Sequence, residues 1–284
     1  KKFPNKIILS GKRGIGKTTL SYHLINYILS ENENLKYDPN DKSINILNKS
    51  YQLVNNNIHP NFYKISLMND KKNIDIDQIR QMSSFINKSS FNNSNKIVLI
   101  ENIELLNKFS CNALLKSVEE PNIDVLFILI LNNEHTILDT IKSRCIEYKL
   151  NLKNTYIKNI VNFYFNDEIF DKISNDFKNY YTSPSSLINF VIFCNEENLN
   201  YEKISVEKLL KYYFKSNLFK KPNNISGDIK FYLELFFHEK LSKIKNNEVI
   251  DLYSYFNKRF NLINTFNLDM ETFYIEFKSK VFNE

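Results

Sequence analysis

The sequence predicts an α/β protein whose first half forms a parallel sheet and whose second half is helical. Three apolar, strand-like runs, Lys6–Ser10, Lys96–Ile100 and Val125–Leu131, alternate with segments of helical periodicity. This alternation is typical of a parallel sheet covered by helices on both faces. Beyond Leu150 the apolar residues recur only at helical spacing. With 284 residues and 43% apolar content, the chain is long enough for two or three domains.

A cluster of glycines follows the first strand. Three of the four glycines of the chain lie within "GKRGIGKT", Gly11 to Thr18, and the helical pattern "KTTLSYHLINYILSE" comes directly after them. In the order strand, loop, helix, the pattern G-x-x-x-x-G-K-[ST] is typical of a phosphate-binding loop, because backbone N–H groups and the helix dipole converge on an anion. A glycine-rich turn without a ligand is the alternative. The candidate cofactor-binding residues here are Gly11, Gly14, Gly16, Lys17, Thr18 and Thr19.

Acidic and amide side chains follow the second strand. In phosphate-loop proteins Lys17 would reach the terminal phosphates and the Thr18 hydroxyl would bind magnesium, assisted by an acid at the end of a neighbouring strand. That position carries Glu101, so Thr18 and Glu101 are the candidate magnesium contacts. The next residue is commonly a glutamate that polarises water, but here it is Asn102, and an amide cannot act as a general base. Hydrolysis by this chain is therefore expected to be poor.

The other segments of the first half continue the alternation. Residues 32–60 form a polar insertion with a helix predicted around Ile44 to Val54 and no assigned chemistry. The pattern then predicts a strand at Tyr63–Leu67, a helix over "IDIDQIRQMSSFI", a helix over "NALLKSVEEP" that ends by Glu120 ahead of a proline, and a strand at Ile146–Leu150.

The second half reads as two groups of helices. Three amphipathic helices are predicted over "NTYIKNIVNFYF", "DEIFDKISNDFKNYY" and "SPSSLINFVIF", with Ser183 as the cap ahead of Pro184. From Tyr201 onward, aromatic-rich stretches such as "VEKLLKYYF", "IKFYLELFFHEKLSKI" and "VIDLYSYFNKRFNLINTF" predict a helical bundle. These aromatic side chains are expected either in the core or in contacts with other subunits.

Composition excludes several classes of protein. The longest apolar run, Val125–Leu131, is too short to cross a bilayer and no signal pattern opens the chain, so a cytoplasmic location is expected without a membrane partner. The cysteines Cys111, Cys145 and Cys194 are far apart, so we expect packing thiols and no zinc site. The net charge of +6 permits a polyanionic partner without requiring one.

Arginine is rare in this lysine-rich chain. Only four of the 38 basic residues are arginine: Arg13, Arg80, Arg144 and Arg259. Because the planar guanidinium binds phosphate or carboxylate in a geometry that lysine cannot reproduce, these positions are candidates for specific roles.

Five motifs together resemble a known family. "GKRGIGKT", "HPNFYKI", "IDIDQIR", "NALLKSVEEP" and "TIKSRC" occur in the order and spacing of the AAA+ clamp-loader subunits of bacterial DNA polymerase III, over roughly residues 5 to 150. The resemblance implies an AAA+ nucleotide-binding domain at 1–151, a small helical lid domain at 152–200 and an all-α collar domain at 201–284 that oligomerises. It also implies a five-subunit ring with gamma/tau and delta subunits, which uses ATP to load a sliding clamp on primed DNA.

The resemblance assigns roles where the motifs match. Arg144, in "SRC", corresponds to the arginine finger that acts in the ATP site of a neighbouring subunit, and Asn132 to the first sensor of the terminal phosphate. Arg80, Lys116 and Thr140 fall at positions that face the template strand in relatives. A solvated surface role is the equal alternative for these three residues.

The departures from the family pattern bear on activity. Ser186 stands near the place of the second-sensor arginine, Asn102 stands for the catalytic glutamate, and the four-cysteine zinc module is missing. The segment before the first strand, which helps to hold adenine in relatives, is also expected to be missing. The favoured hypothesis is a largely non-hydrolysing ring subunit that binds ATP and magnesium weakly or vestigially. The alternative is an active AAA+ motor of the gamma/tau type that uses Lys17, Thr18 and Glu101.

Overall fold

A computed structural model describes most of the chain. The described residues are 4–68, 71–93, 95–119, 124–132, 137–178, 182–216, 229–243, 247–266 and 268–282. The chain divides into two compact units, Lys1–Leu152 and Lys153–Glu284.

The first unit contains a five-stranded parallel sheet. Its strands are β1 (Lys6–Gly11), β2 (Phe62–Ile65), β3 (Lys96–Ile100), β4 (Val125–Asn132) and β5 (Ile146–Lys149). They pair in the order β2-β3-β4-β1-β5, and every pairing is parallel. The predicted parallel α/β architecture is therefore confirmed.

Helices cover both faces of this sheet. They are α1 (Lys17–Leu29), α2 (Lys49–Asn55), α3 (Ile76–Ile86), α4 (Lys108–Glu119) and α5 (Asp139–Lys142). Successive strand residues point to opposite faces, so Ile8 joins a core cluster with Ile79 of α3, whereas Ile7 joins a second cluster with Ile25 of α1. Burial on both faces explains why the central strands are almost entirely apolar.

The insertion at 32–60 is less helical than its sequence predicts. The helix expected around Ile44 to Val54 begins only at Lys49. The Asn48 side chain accepts a hydrogen bond from the Tyr51 N–H at 2.6 Å and so caps this helix, while the Asn45 side chain binds the N–H two residues further on at 2.9 Å. Asparagine side chains thus compete with the helix for backbone groups. The strand predicted at Tyr63–Leu67 is also displaced toward the N-terminus, since β2 spans Phe62–Ile65.

The second unit is helical in its described residues. Its helices are α6 (Asn154–Phe165), α7 (Ile169–Lys172), α8 (Pro184–Glu196), α9 (Val206–Lys215), α10 (Ile229–Lys243), α11 (Asn247–Phe266) and α12 (Met270–Phe277), followed by a π-helical turn at Lys278–Phe282. Its core is aromatic: Phe236, Phe273 and Phe277 are fully buried. Over the described part of the chain, no helix combines the length and apolar content that a bilayer crossing needs.

The helix predicted over residues 167–181 is wrong. Only α7 and a 3-10 turn at Asn175–Phe177 form, because the Ser174 N–H donates to the Tyr201 carbonyl oxygen at 3.1 Å instead of continuing a helix. This break lets Phe177 stack on Phe190, with ring centroids 4.0 Å apart. Residues 179–181 of the predicted helix lie outside the described residues.

Side chains from the two sides of the domain boundary expected near residue 200 pack against each other. The ring of Tyr232 lies 6.2 Å from Phe177 and 6.5 Å from Phe190, measured between centroids. The separation of a lid at 152–200 from a collar at 201–284 stays a prediction.

The cysteines are free thiols in packed surroundings. Cys111 and Cys194 are buried and Cys145 is half-buried. Burial raises the pKa of Cys145 to about 11 and that of Cys194 to about 12, so both thiols are protonated and poorly nucleophilic at neutral pH. Within the described ranges, no group of three or more His, Cys, Asp or Glu side chains could hold a metal ion.

A capping box begins α8 and confirms the predicted cap. The Ser183 Oγ accepts a hydrogen bond from the Ser186 N–H at 3.2 Å, and the Ser186 Oγ accepts one from the Ser183 N–H at 3.1 Å. Ser186, which stands near the expected second-sensor position, is buried and is engaged in this cap. It therefore stabilises the helix end.

We expect Ser183→Ala to lower the free energy of unfolding by about 1 kcal/mol, because the first turn of α8 loses its acceptor. Urea denaturation measures this change. The matched control is Ser185→Ala in the same turn, where the side chain is exposed and the expected change is below about 0.5 kcal/mol. Equal losses in both variants would contradict the role of the cap.

Candidate functional site

The glycine loop between β1 and α1 has the shape of an anion cradle. Gly14 and Gly16 have φ values of 81° and 91°, in the region that favours glycine. A Cβ added at Gly16 would meet nothing within 4 Å, so the space beside it is open. Gly11 is required for a different reason, because a Cβ there would lie 2.6 Å from the carbonyl oxygen of Leu150.

The N-terminus of α1 supplies donors to this cradle. Gly16 is the N-cap and has no side chain to bond the first N–H groups of the helix, which is typical of helix N-termini that bind anions. The Lys17 side chain is buried, and its ammonium donates to the carbonyl oxygens of Gly11 at 2.9 Å and Lys12 at 2.7 Å. Lys17 is thus held inside the loop, as a phosphate ligand requires.

An ion pair holds the acid at the end of β3. The Lys64 ammonium, on β2, lies 3.1 Å from the Glu101 carboxylate, and both side chains are mostly buried. Lys64 also donates to the Tyr22 hydroxyl at 3.3 Å. Burial lowers the pKa of Lys64, but the charge of Glu101 and the hydrogen bonds to Glu101 and Tyr22 outweigh it and raise this pKa overall. Lys64 therefore stays charged at neutral pH.

A second polar cluster surrounds Asn132 at the end of β4. The Asn132 side-chain amide donates to Glu104 at 2.6 Å and to the Asn102 side-chain oxygen at 2.9 Å. Its backbone N–H donates to the other Glu104 oxygen at 3.4 Å. Since Asn132 pairs in register with Gly11, this cluster lies beside the start of the loop.

The sequence-predicted residues meet here, and two unpredicted ones join them. The loop, Glu101 and Asn132 lie at the same edge of the sheet, as expected. Lys64 and Glu104 were not among the candidates. The signal for Glu104 was its place three residues after Glu101, in the 3-10 turn Ile103–Leu105.

The residues fit a phosphate group better than they fit magnesium. The open cradle, the uncapped helix and Lys17 suit an anion. Thr18 is half-buried and Thr19 is exposed, at the start of α1. The carboxylate of Glu101, the other predicted magnesium contact, already forms an ion pair with the ammonium of Lys64. A neutralised carboxylate attracts a divalent cation less, so the geometry does not favour magnesium there.

Arg144 lies exposed after α5. Its guanidinium donates to the Thr140 carbonyl oxygen at 2.8 Å and to the Ser143 hydroxyl at 3.3 Å. It also forms an ion pair with Glu119 of α4 at 2.8 Å, in which 37% and 46% of the two side chains are exposed. The guanidinium is therefore oriented yet open to a ligand or to another chain.

Two of the three candidate DNA contacts share a groove between α3 and α4. Arg80 and Lys116 line this groove, whose volume is about 580 Å³, together with the exposed Phe109. Arg80 pairs with Asp77 at 3.1 Å, but both side chains are about 70% exposed, so solvent screens this pair. Thr140 is exposed on α5 and is not among the residues that line the groove.

The two other arginines have different surroundings. Arg259 pairs with Glu276 at 3.3 Å, within the second unit. Arg13 is exposed in the glycine loop. Arg259 therefore has a structural role in the helical unit.

Comparison with known proteins identifies relatives. A family model described as "DNA polymerase III, delta subunit" matches residues 1–154. The chain is 34% identical over 153 residues to DNA polymerase III subunit delta' of Buchnera aphidicola subsp. Baizongia pistaciae, covering 51% of this chain and 44% of the relative. It is 31% identical over 277 residues to the subunit delta' of Buchnera aphidicola subsp. Schizaphis graminum, covering 93% and 80%. DNA polymerase III subunit gamma of the latter organism is 32% identical over 145 residues, covering 51% and 38%.

These matches differ in extent. The chain spans less than half the length of the first relative and of the gamma subunit, but four fifths of the second relative. The family model covers more than half of the chain, and a delta' subunit above 30% identity covers nearly all of it. The chain therefore belongs to the family of DNA polymerase III delta' subunits.

Proposed function

We propose that this chain is a clamp-loader ring subunit that supplies Arg144 to the ATP site of a neighbouring subunit and does not turn over nucleotide efficiently itself. Its phosphate loop binds a nucleoside triphosphate weakly. The partners are gamma/tau and delta subunits in a five-subunit ring, a sliding clamp and primed DNA, in the cytoplasm. Family membership makes the clamp-loader class the natural setting for these finer roles.

The observation that carries this proposal is the state of the residues beside the loop. At the position expected for a general base stands Asn102, and it accepts a hydrogen bond from Asn132 instead of facing a water with a carboxylate. The nearest unpredicted acid, Glu104, has both oxygens engaged by Asn132. The position expected for the base that activates water therefore has no carboxylate, and the neighbouring acid is engaged with Asn132.

The surroundings of Arg144 support the role in trans. A finger must be exposed in its own subunit and must have a fixed direction, and Arg144 meets both requirements. In related phosphoryl-transfer systems an arginine that reaches the transferring phosphate accounts for about 10³ to 10⁵ in rate.

One observation favours the alternative of a motor subunit. The loop is complete, and Lys17 is in place within it. A chain of the gamma/tau type would use this loop for its own turnover. The two functions differ in which residue the ATPase rate of the assembled ring depends on.

For the ring assembled with its partner subunits, we expect Arg144→Ala to reduce clamp-stimulated ATP hydrolysis at least about 10-fold, because the neighbouring site loses a charge that stabilises the transition state. Lys17→Ala is expected to change the rate less than about twofold, because in this proposal Lys17 does not contact the transition state of the reaction. Steady-state phosphate release measures both rates. The reverse ranking would favour the motor function.

We also expect the isolated chain to hydrolyse ATP at the background rate, because an amide, Asn102, stands at the position expected for the general base. Brisk turnover by the purified chain, abolished by Lys17→Ala, would contradict the proposal. This measurement needs no partner subunits.

For DNA, we expect Lys116→Ala to weaken binding of primed DNA by the assembled ring and to reduce the slope of log affinity against log salt by about 1, since one phosphate contact is lost. The matched control is Lys49→Ala on α2, an exposed lysine on the opposite face of the sheet. Equal slopes for Lys116→Ala and the unaltered ring would assign Lys116 to a solvated surface.

A further inference from the structure

The ammonium of Lys64 pairs with the carboxylate of Glu101, the acid that would otherwise serve a magnesium ion at the loop. Glu101 follows β3, and β4 lies between β3 and the strand that leads into the glycine loop. Two strand spacings separate β3 from β1, about 10 Å, a span that a carboxylate bridges through a metal-bound water. In this chain the Glu101 carboxylate instead meets Lys64 of β2 at 3.1 Å, on the side away from the loop.

A third residue fixes this arrangement. Tyr22 lies on α1, the helix that begins at the loop, and its hydroxyl accepts a hydrogen bond from Lys64 at 3.3 Å. The ammonium also lies 5.7 Å from the centre of the Tyr22 ring. Lys64 is therefore held on the α1 face of the sheet by two partners. With 23% and 17% of the Lys64 and Glu101 side chains exposed, the pair is screened less than a surface ion pair.

The pair changes the charge that a nucleotide would meet. An unpaired Glu101 would attract Mg²⁺ and repel a metal-free triphosphate. Paired with Lys64, it contributes almost no net charge, so both effects are weakened. The remaining charge at the loop is that of Lys17 and of the helix N-terminus, which favour the triphosphate with or without a metal.

We propose that Lys64 replaces magnesium at Glu101, so that the loop binds a nucleoside triphosphate without dependence on a divalent cation. This inference rests on the proposed binding of a nucleotide by the loop, but not on the role of Arg144. It explains why a complete loop occurs beside residues that cannot hydrolyse what it binds. Lys64 is the residue that makes binding of the ligand independent of the metal.

The test measures binding of a non-hydrolysable ATP analogue, AMP-PNP, to the full chain by calorimetry, with excess MgCl₂ or with EDTA. For the unaltered chain the two dissociation constants are expected to agree within about threefold. For Lys64→Met we expect the affinity to be at least about 10-fold higher with MgCl₂ than with EDTA, because the freed carboxylate attracts the metal and repels the metal-free analogue.

Two variants separate the charge effect from other causes. Lys71→Met removes a lysine that pairs with Asp75 elsewhere in the same unit, and it is expected to leave both constants unchanged. Adding Glu101→Gln to Lys64→Met removes the freed carboxylate and is expected to abolish the dependence on magnesium. Thermal unfolding checks that each variant is folded, and Lys64→Gln replaces Lys64→Met if the latter is not.

Three outcomes would overturn the inference. They are a rise in affinity of about 10-fold or more with MgCl₂ for the unaltered chain, an equal response to magnesium in folded Lys64→Met and the unaltered chain, and no detectable binding of the analogue under either condition. The last would also remove nucleotide binding from the proposed function. The dependence of ring ATPase on Arg144 is measured separately, so failure of one proposal is distinguishable from failure of the other.

Discussion

The parallel pairing of β1 with β4 is the constraint on which the site depends. It aligns Gly11, where the loop begins, with Asn132, where β4 ends. Seven of the eight residues of β4 are buried. Apolar burial on both faces of the sheet therefore holds this strand in place, although only its last residue belongs to the polar cluster. The carboxyl ends of β1, β3 and β4 then lie at one edge of the sheet. The pairing of the strands thus brings the polar side chains at these ends together, and contacts between the side chains are not required for it.

Local patterns predict part of this structure and not the rest. They give β3 its observed bounds, Lys96–Ile100, because a short run of apolar residues between polar segments defines a buried strand by itself. They fail over 167–181, because the burial of Phe177 depends on residues distant in sequence. They also miss Lys64, which meets Glu101 only because β2 pairs with β3. The glycine loop was predictable since its chemistry lies in consecutive residues, whereas the charge balance beside it depends on which strands are neighbours.

The first unit of the chain thus combines two unlike features. Around the loop, the acids are already satisfied from within the chain: Glu101 by Lys64, and Glu104 by Asn132. At the surface, Arg144 and the groove that contains Lys116 remain open to other molecules. The two acids beside the loop are engaged by hydrogen bonds and an ion pair, while the exposed Arg144 is oriented by Glu119 and the Thr140 carbonyl oxygen. This distribution is consistent with the proposed role, in which the subunit acts on its neighbours more than on its own ligand.

The ion pair between Arg144 and Glu119 affects how fast Arg144 could bind an anion of another molecule. A solvent-exposed ion pair contributes at most about 1 kcal/mol, so the guanidinium is kept in a narrow range of directions but is released at thermal energies. Replacement of the Glu119 carboxylate by another anion at the Arg144 guanidinium then requires no refolding. It also requires no search through the many rotamers of an unpaired arginine. In the proposed role in trans, the Glu119 carboxylate would hold the guanidinium of Arg144 in one direction until a second anion replaces it.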